Sequence, residues 1–205
     1  ATAAYDQQWD RQYKLNGNMY LEITPLKGLV IKTTNAAELT FEEGRRYWSP
    51  LSGKDQSPTL QTTEDMYRVL TTSNTITYDT NIGKNYLRVL AGQEAMATDY
   101  HSNYQYSYDL NPDMPYHVGG NPTNDMEYYV SRETMLSFFG ILDYNYDSRY
   151  YLQVSVRKDG SSLFADGSRW GTFPSVGLSW NIQNEKFMSG VDAVDLLKIR
   201  ASYGI

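Results

Sequence analysis

Few residues of this chain are spaced for chemistry. Asp109-Leu110-Asn111-Pro112-Asp113 sets three side-chain oxygens at alternate positions, as a calcium loop does. Such a loop also needs a glycine for its sharp turn and a closing glutamate. Met114 stands in place of the glycine and no Glu follows at the right spacing, so the segment reads as a solvated loop. His101 and His117 share one stretch and could meet at a metal ion, but two histidines in Tyr-rich surroundings are more often ordinary side chains. Glu42, Glu43 and Asp143 are carboxylates without partners at a recognisable spacing, and no nucleophile elbow, phosphate loop or zinc-hydrolase pair occurs. The sequence therefore predicts no enzyme, no metal centre and no cofactor. Aromatic rings are the better candidates. Tyr47 and Trp48 lie in one polar stretch; Tyr100, Tyr104, Tyr106, Tyr108 and Tyr116 lie in or beside another. A ring can stack on the apolar face of a sugar while its polar edge hydrogen-bonds. The competing reading is that these rings pack the loops together or form a girdle at a membrane boundary. The residues expected to touch ligand are Tyr47, Trp48, Tyr104, Tyr106 and Tyr108.

The elements that must position these rings alternate with period two, the signature of strands. Tyr13, Leu15, Met19, Leu21 and Ile23 fall on one face, against Lys14, Asn16, Asn18, Glu22 and Thr24 on the other. Pro25-Leu26-Lys27-Gly28 predicts a turn. The next strand sets Leu29, Ile31, Ala37, Leu39 and Phe41 against Lys32, Thr34, Glu38, Thr40 and Glu42. Residues 43–65, with Gly44, Pro50, Gly53 and Pro58, read as a long loop. Strands are expected near 66–82 and 86–100 around a Gly83-Lys84 turn, and a second long loop over 101–129. Leu136, Phe138, Leu142, Tyr144 and Tyr146 begin a further hairpin that turns at Asp147-Ser148 and returns through Leu152, Val154 and Val156. A third loop is expected over 159–169, a seventh strand over 176–182, a connection with a helical turn over 184–195, and an eighth strand from Leu197.

The connections thus alternate between short turns (25–28, 82–85, 146–149) and long loops (43–65, 101–129, 159–169). Outer-membrane barrels show this asymmetry, with short periplasmic turns and long extracellular loops. The strands are longer than the roughly 9–11 residues needed to cross the hydrocarbon. Composition agrees. Mean hydropathy is -0.58, and no run approaches the roughly 18 apolar residues of a membrane helix. A barrel escapes that test, because only alternate residues meet lipid. The 19 Tyr and 4 Trp suit both strands and membrane boundaries. A net charge of -6 without a basic cluster argues against nucleic acid, and the absence of Cys removes disulfides and thiolate metal sites. Ala1–Asp10 lacks the basic start and apolar core of a signal peptide, and both ends read as cut, so a fragment is expected.

Residues 157–188 carry a specific pattern. It runs Arg157-Lys158-Asp159-Gly160-Ser161-Ser162-Leu163-Phe164, then Arg169-Trp170-Gly171-Thr172-Phe173-Pro174-Ser175, Gly177-Leu178-Ser179-Trp180 and Glu185-Lys186-Phe187-Met188. It resembles the barrel signature of the SusC-like (SusC/RagA) TonB-linked outer-membrane transporters of Bacteroidetes. Phe139-Gly140, Tyr144, Tyr146, Arg149-Tyr150, the stretch Leu90 to Ala95 and the ending Leu197 to Gly204 resemble the same family. Leu163 departs from it, standing where the family often has a basic residue.

The resemblance implies an all-β fold: about eight antiparallel up-and-down strands of a barrel of about 22. Residues 1–205 would be part of a TonB-dependent receptor barrel, without the plug or the TonB-contacting segment. It implies import of glycan or peptide fragments across the outer membrane, with a SusD-like surface lipoprotein and the TonB complex as partners and outer-membrane lipid around the wall. Asp159, Gly160, Ser161, Ser162, Arg169, Trp170, Gly171, Phe173, Pro174 and Ser175 are then architectural, with Gly160, Gly167 and Gly171 permitting tight loop geometry and Pro174 opening a strand. Lys14, Glu22, Lys32, Asp143, Arg157 and Arg200 would line the lumen. The alternative is a free-standing eight-stranded barrel or a secreted β-sandwich acting as a binding module.

Overall fold

The computed structural model describes residues 6–52, 57–108, 110, 125–191 and 193–205. The candidate calcium loop apart from Leu110, together with Tyr116 and His117, lies outside the described residues. Eight strands follow one another: β1 (Gln7–Leu26), β2 (Leu29–Trp48), β3 (Thr59–Ile82), β4 (Asn85–Tyr108), β5 (Asp125–Tyr146), β6 (Tyr150–Ser161), β7 (Trp170–Asn181) and β8 (Lys198–Gly204). Each neighbours the next in one sheet of order β1 to β8. The register over β5–β8 is antiparallel throughout. This is the up-and-down order expected when each strand returns beside the one before it. Among the described residues no helix is long and apolar enough to cross a membrane.

The strands are longer than the apolar alternation suggests. The loop expected over 43–65 is narrower, because β2 runs on to Trp48 and β3 begins at Thr59. β4 likewise continues through Tyr108, and β5 begins at Asp125. Tyr47, Trp48, Tyr104, Tyr106 and Tyr108 are therefore strand residues rather than loop residues. Pro25 lies inside β1, an outermost strand here, where a missing N–H is tolerated. β6 extends to Ser161, which narrows the third loop from its first side, and β7 starts at Trp170, six residues before the strand expected from 176. β7 ends at Asn181, one residue before the expected Ile182, and the connection after it carries two 3₁₀ turns, Ile182–Asn184 and Lys186–Met188.

The chain divides into two compact units. The first comprises 1–17, 36–70 and 97–133; the second comprises 18–35, 71–96 and 134–205. The first unit holds the only buried apolar cluster among the described residues, Tyr47 with Leu60 and Leu110. The second holds the three tight turns. Gly28 and Gly83 turn the chain at φ 83° and 60°, where a side chain would be strained. The third turn puts Asp147 and Ser148 at φ 54° and 56°, with Arg149 N donating to Tyr146 O at 2.9 Å. That is the mirror-image two-residue turn suited to the twist of a hairpin, built here without glycine.

Candidate functional site

In the second unit the register sorts β5–β8 into two faces. One face carries the rows Tyr146–Tyr150–Trp180–Ile199, Tyr144–Leu152–Leu178–Ala201, Leu142–Val154–Val176–Tyr203, Gly140–Val156–Pro174, Phe138–Lys158–Thr172 and Leu136–Gly160–Trp170. The other carries Asn145–Tyr151–Ser179–Arg200, Asp143–Gln153–Gly177–Ser202, Ile141–Ser155–Ser175–Gly204, Phe139–Arg157–Phe173 and Ser137–Asp159–Gly171. The apolar face ends in rings at both limits. Tyr146 and Tyr150 stack at 6.4 Å, as do Tyr150 and Trp180; at the far limit Phe138 and Trp170 stack at 6.3 Å. Trp170 and Trp180 stand ten residues apart on β7, about 33 Å at the usual rise. A strand tilt of ~40° brings that to about 25 Å, the height of the lipid-facing band of an outer-membrane barrel. The one charged group among the described residues within this band is Lys158, whose Nζ rises to 5.4 Å from the Trp170 ring. A lysine so placed carries its charge toward the boundary and leaves its stem in the apolar layer.

The opposite face is polar and hydrogen-bonded across strands. Gln153 donates to Asp143 at 2.7 Å, and the Ser155 and Ser175 hydroxyls meet at 2.7 Å. Arg157 binds Asp159 at 2.7 Å, Glu94 at 3.2 Å and the Ser137 hydroxyl at 3.0 Å, and lies 5.5 Å from the Phe139 ring. Sequence reasoning did not pair Arg157 with Glu94, which is 63 positions away and has no spacing to betray it.

The ten residues singled out as architectural all fall in this unit. Gly160 and Gly171 lie inside strands and do not make tight loop geometry; of the three glycines, only Gly167 has a positive φ, 92°. Their use is close packing instead. The Trp170 ring covers Gly160, where a Cβ would come within 2.9 Å, and the Phe173 ring covers Gly171 at 2.7 Å. Pro174 does not open its strand, which begins four residues earlier at Trp170. Its carbonyl accepts Ile205 N at 3.2 Å, so its missing N–H faces the end of β8 and costs at most one ladder bond there. Ser162 and Thr134 close the β5–β6 ladder reciprocally, Ser162 N donating to Thr134 O at 2.9 Å and Thr134 N to the Ser162 hydroxyl at 2.8 Å. Ser161 N donates to Arg169 O at 3.1 Å, and Arg169 pairs with Asp166 at 2.8 Å. Gly160→Val should therefore destabilise the full-length protein by about 1–3 kcal/mol through overpacking. A urea midpoint should show it, and most of the cost should vanish when Trp170 is also changed to Ala.

A charge cluster joins the β3–β4 turn, the β5–β6 turn and the β7–β8 connection. Lys84 reaches Asp147 at 2.8 Å, Asp147 takes Arg149 at 2.6 Å, and Arg149 binds Glu185 at 2.9 Å. Glu185 also accepts the Tyr150 hydroxyl at 2.6 Å and the Trp180 indole at 3.0 Å. The Ser148 carbonyl accepts Asn181 at 3.1 Å and Asn184 at 2.7 Å, which fixes the left-handed turn. The hydrogen bonds from Tyr150, Trp180 and Arg149 hold the Glu185 carboxyl below its ordinary range. Lys84 first, then Arg149, does the same for Asp147. Arg149 is pushed up, chiefly by its bond to Glu185. The sequence marked Arg149 and Glu185 only as members of a pattern; nothing in their spacing announces that they meet.

The candidate ligand rings belong to the first unit. Tyr47 is 8% exposed, within the cluster of Leu60 and Leu110. Trp48 and Tyr106 lie 6.4 Å apart, Tyr106 and Tyr108 6.3 Å apart, and Tyr104 precedes Tyr106 on the same side of β4 by alternation. A second group, not singled out in advance as a unit, stacks Tyr67 on Tyr100 at 4.4 Å with Tyr129 at 5.9 Å, and the Tyr100 hydroxyl donates to Asp65 at 3.1 Å. Beside it, Asp99 receives Arg68 at 2.7 Å and faces Arg132 at 3.6 Å. His101 Nδ1 stands 3.5 Å from the Tyr128 hydroxyl.

A barrel wall with one lipid-type face and one polar face defines the class of protein. Residues 1–204 match the TonB dependent receptor-like β-barrel model. The chain belongs to that family, whose barrels lie in the bacterial outer membrane. The TonB-dependent receptor SusC of Bacteroides thetaiotaomicron is 44% identical over 77 residues, 38% of this chain and 8% of that protein. The TonB-dependent receptor P26 of Formosa agariphila is 28% identical over 202 residues, 92% of this chain and 20% of that protein. The structure of the RagAB peptide transporter superposes with a TM-score of 0.86 at 28% identity, covering 98% of this chain and 23% of that one. The chain is SusC-like and spans at most about a quarter of the length of these relatives.

Proposed function

We propose that this chain is barrel wall of an active importer that takes glycan or peptide fragments across the outer membrane, working with a SusD-like surface lipoprotein and driven by the TonB complex through parts outside residues 1–205. The observation that carries the reading is the apolar band between two aromatic rows, backed by a polar, charge-bearing face, in a chain of the TonB-dependent receptor family. The band suits lipid and the polar face suits a solute path. Tyr47, Trp48, Tyr104, Tyr106 and Tyr108 are proposed ligand contacts, and the ten residues of the 159–175 pattern are proposed to be structural. The test is uptake by cells that carry the full-length protein, against a deletion strain. Labelled oligosaccharide and peptide mixtures should accumulate only with the protein present, and accumulation should stop when an uncoupler collapses the proton gradient. Uptake that survives the uncoupler would make the protein a passive pore and overturn active import. Trp48→Ala and Tyr106→Ala should each weaken binding of the imported class several-fold while the barrel stays folded.

A further inference from the structure

The two aromatic limits of the lipid-type face are completed differently. At the limit beside the tight β5–β6 turn, protein groups take up the polar atoms of the row. Glu185 accepts the Tyr150 hydroxyl at 2.6 Å and the Trp180 indole at 3.0 Å, and Arg149 balances its charge at 2.9 Å. At the limit beside the β6–β7 loop the polar side-chain groups are the Lys158 ammonium, the Trp170 indole N–H and the Thr172 hydroxyl. All three residues are exposed. Among the described residues none of these three groups has a hydrogen-bond acceptor or an ion-pair partner. The neighbouring charges are engaged elsewhere: Arg157 pairs with Asp159 at 2.7 Å on the polar face, and Arg169 pairs with Asp166 at 2.8 Å. Lys158 lies in register between Phe138 and Thr172, so the strands on both sides of it belong to this chain. Its face looks away from the barrel interior, and nothing that fills the interior reaches it.

We infer that Lys158, Trp170 and Thr172 form a headgroup site that takes the phosphate of an outer-leaflet lipid. Three donors and one positive charge, with no carboxylate among them, match a group that is anionic and rich in acceptors. A lipid phosphate at a membrane boundary is such a group. The level is right, because Phe138 and Trp170 mark the edge of the apolar band, where headgroups begin. The side is the outer one, because the longer connections of a barrel face outward. Trp170 lies against Gly160, where a Cβ would come within 2.9 Å, and this footprint holds the indole 5.4 Å from the ammonium. Solvation of a lone lysine explains the charge, but not why one limit is closed by a glutamate and the other left with donors only. The inference rests on the assignment of the two faces and not on what is imported. Val154→Arg tests the faces and uptake tests import, so a failure of either is told apart from a failure of the headgroup site.

The test uses the full-length protein in detergent and reads bound lipid by native mass spectrometry. The probes are dioleoyl phosphatidic acid, which carries a phosphate, and dioleoylglycerol, which has the same chains and none. Each variant is first checked for the heat-modifiable gel migration of a folded barrel. Phosphatidic acid should bind in preference to dioleoylglycerol. Its binding should weaken about fivefold in Lys158→Gln and about threefold in Trp170→Phe, which keeps an aromatic ring and removes the N–H. Lys158→Arg should retain it, and Lys198→Gln, which removes a cation from the polar face, should leave it unchanged. Equal binding of the two lipids overturns the inference. So does a preference for phosphatidic acid that Lys158→Gln leaves intact, since the phosphate is then held elsewhere. A dimer that Lys158→Gln dissociates without changing the bound lipid assigns the three donors to a second copy, and overturns it too. Should Trp170→Phe fail to fold, Lys158→Gln still decides, because Lys158 is exposed and has no ion pair to lose.

Discussion

Val154→Arg should cost the full-length barrel about 2–4 kcal/mol when the residue sits at the membrane midplane. Val154 is in register with Leu142 and Val176, the row midway between the aromatic limits at Trp170 and Trp180. An arginine there must either bring its guanidinium into hydrocarbon or stretch about 12 Å to a boundary. Leu178→Arg, nearer the Tyr150–Trp180 row, should cost less, because its charge reaches the interface sooner. Ser155→Arg, on the opposite face, should change stability by no more than about 0.5 kcal/mol. Urea titration of the protein refolded into lipid vesicles measures all three. If Val154→Arg and Leu178→Arg both leave the midpoint unmoved while Ser155→Arg lowers it, the faces have been assigned the wrong way round.

Those faces were readable from side-chain types because lipid imposes them. Where a strand meets hydrocarbon, alternate residues must be apolar, and Leu142, Val154, Val176 and Leu178 obey. Where a strand does not meet hydrocarbon that demand ends, but the backbone ladder need not, since its hydrogen bonds take no account of side-chain polarity. Thr59 to Asp65 and Gly44 to Trp48 therefore lose the apolar alternation and still continue as strand. That is why the loops read as longer than they are. Turns were legible where glycine made them, at Gly28 and Gly83. At Asp147-Ser148 the position was legible but the backbone was not. Two non-glycine residues with positive φ cost about 1–2 kcal/mol each, and the partners that offset that are partly local, Asn145 accepting Ser148 N at 2.8 Å, and partly distant in sequence, Lys84, Asn181 and Asn184.

The same separation hid what the 157–188 pattern does. Its glycines suggested loops, yet Gly160 and Gly171 are strand positions that let Trp170 and Phe173 lie flat on the wall. A pattern of residue types does not say whether a glycine serves backbone freedom or a ring's footprint; only the register decides. Glu185 is a sharper instance. Alone in sequence it is one acidic residue before a 3₁₀ turn, and in space it gathers Arg149, Tyr150 and Trp180.

Glu185→Gln should consequently lower the stability of the folded barrel at neutral pH and flatten its acid dependence. The glutamine cannot balance Arg149, whose side chain is only 16% exposed, and an ion left without its partner in a shielded place is costly. The sign follows from the direction of the shift. Glu185 and Asp147 are held below their ordinary values, so their contribution is complete above about pH 4.3 and is lost as the pH falls through their lowered folded values. Arg149 is raised, so it stays charged through this window and adds no slope of its own. Unfolding of wild type between pH 7 and pH 2 should thus show a fall below about pH 4.3. The curve of Glu185→Gln should start lower, fall less and approach wild type at the acid end, where a protonated Glu185 resembles glutamine. Arg149→Met should start lowest of the three, since it strips Asp147, Glu185 and the turn of one shared partner. Two parallel curves, offset by a constant amount from pH 7 to pH 2, would show that Glu185 acts by packing alone and that the charge cluster does not hold the two turns to the β7–β8 connection.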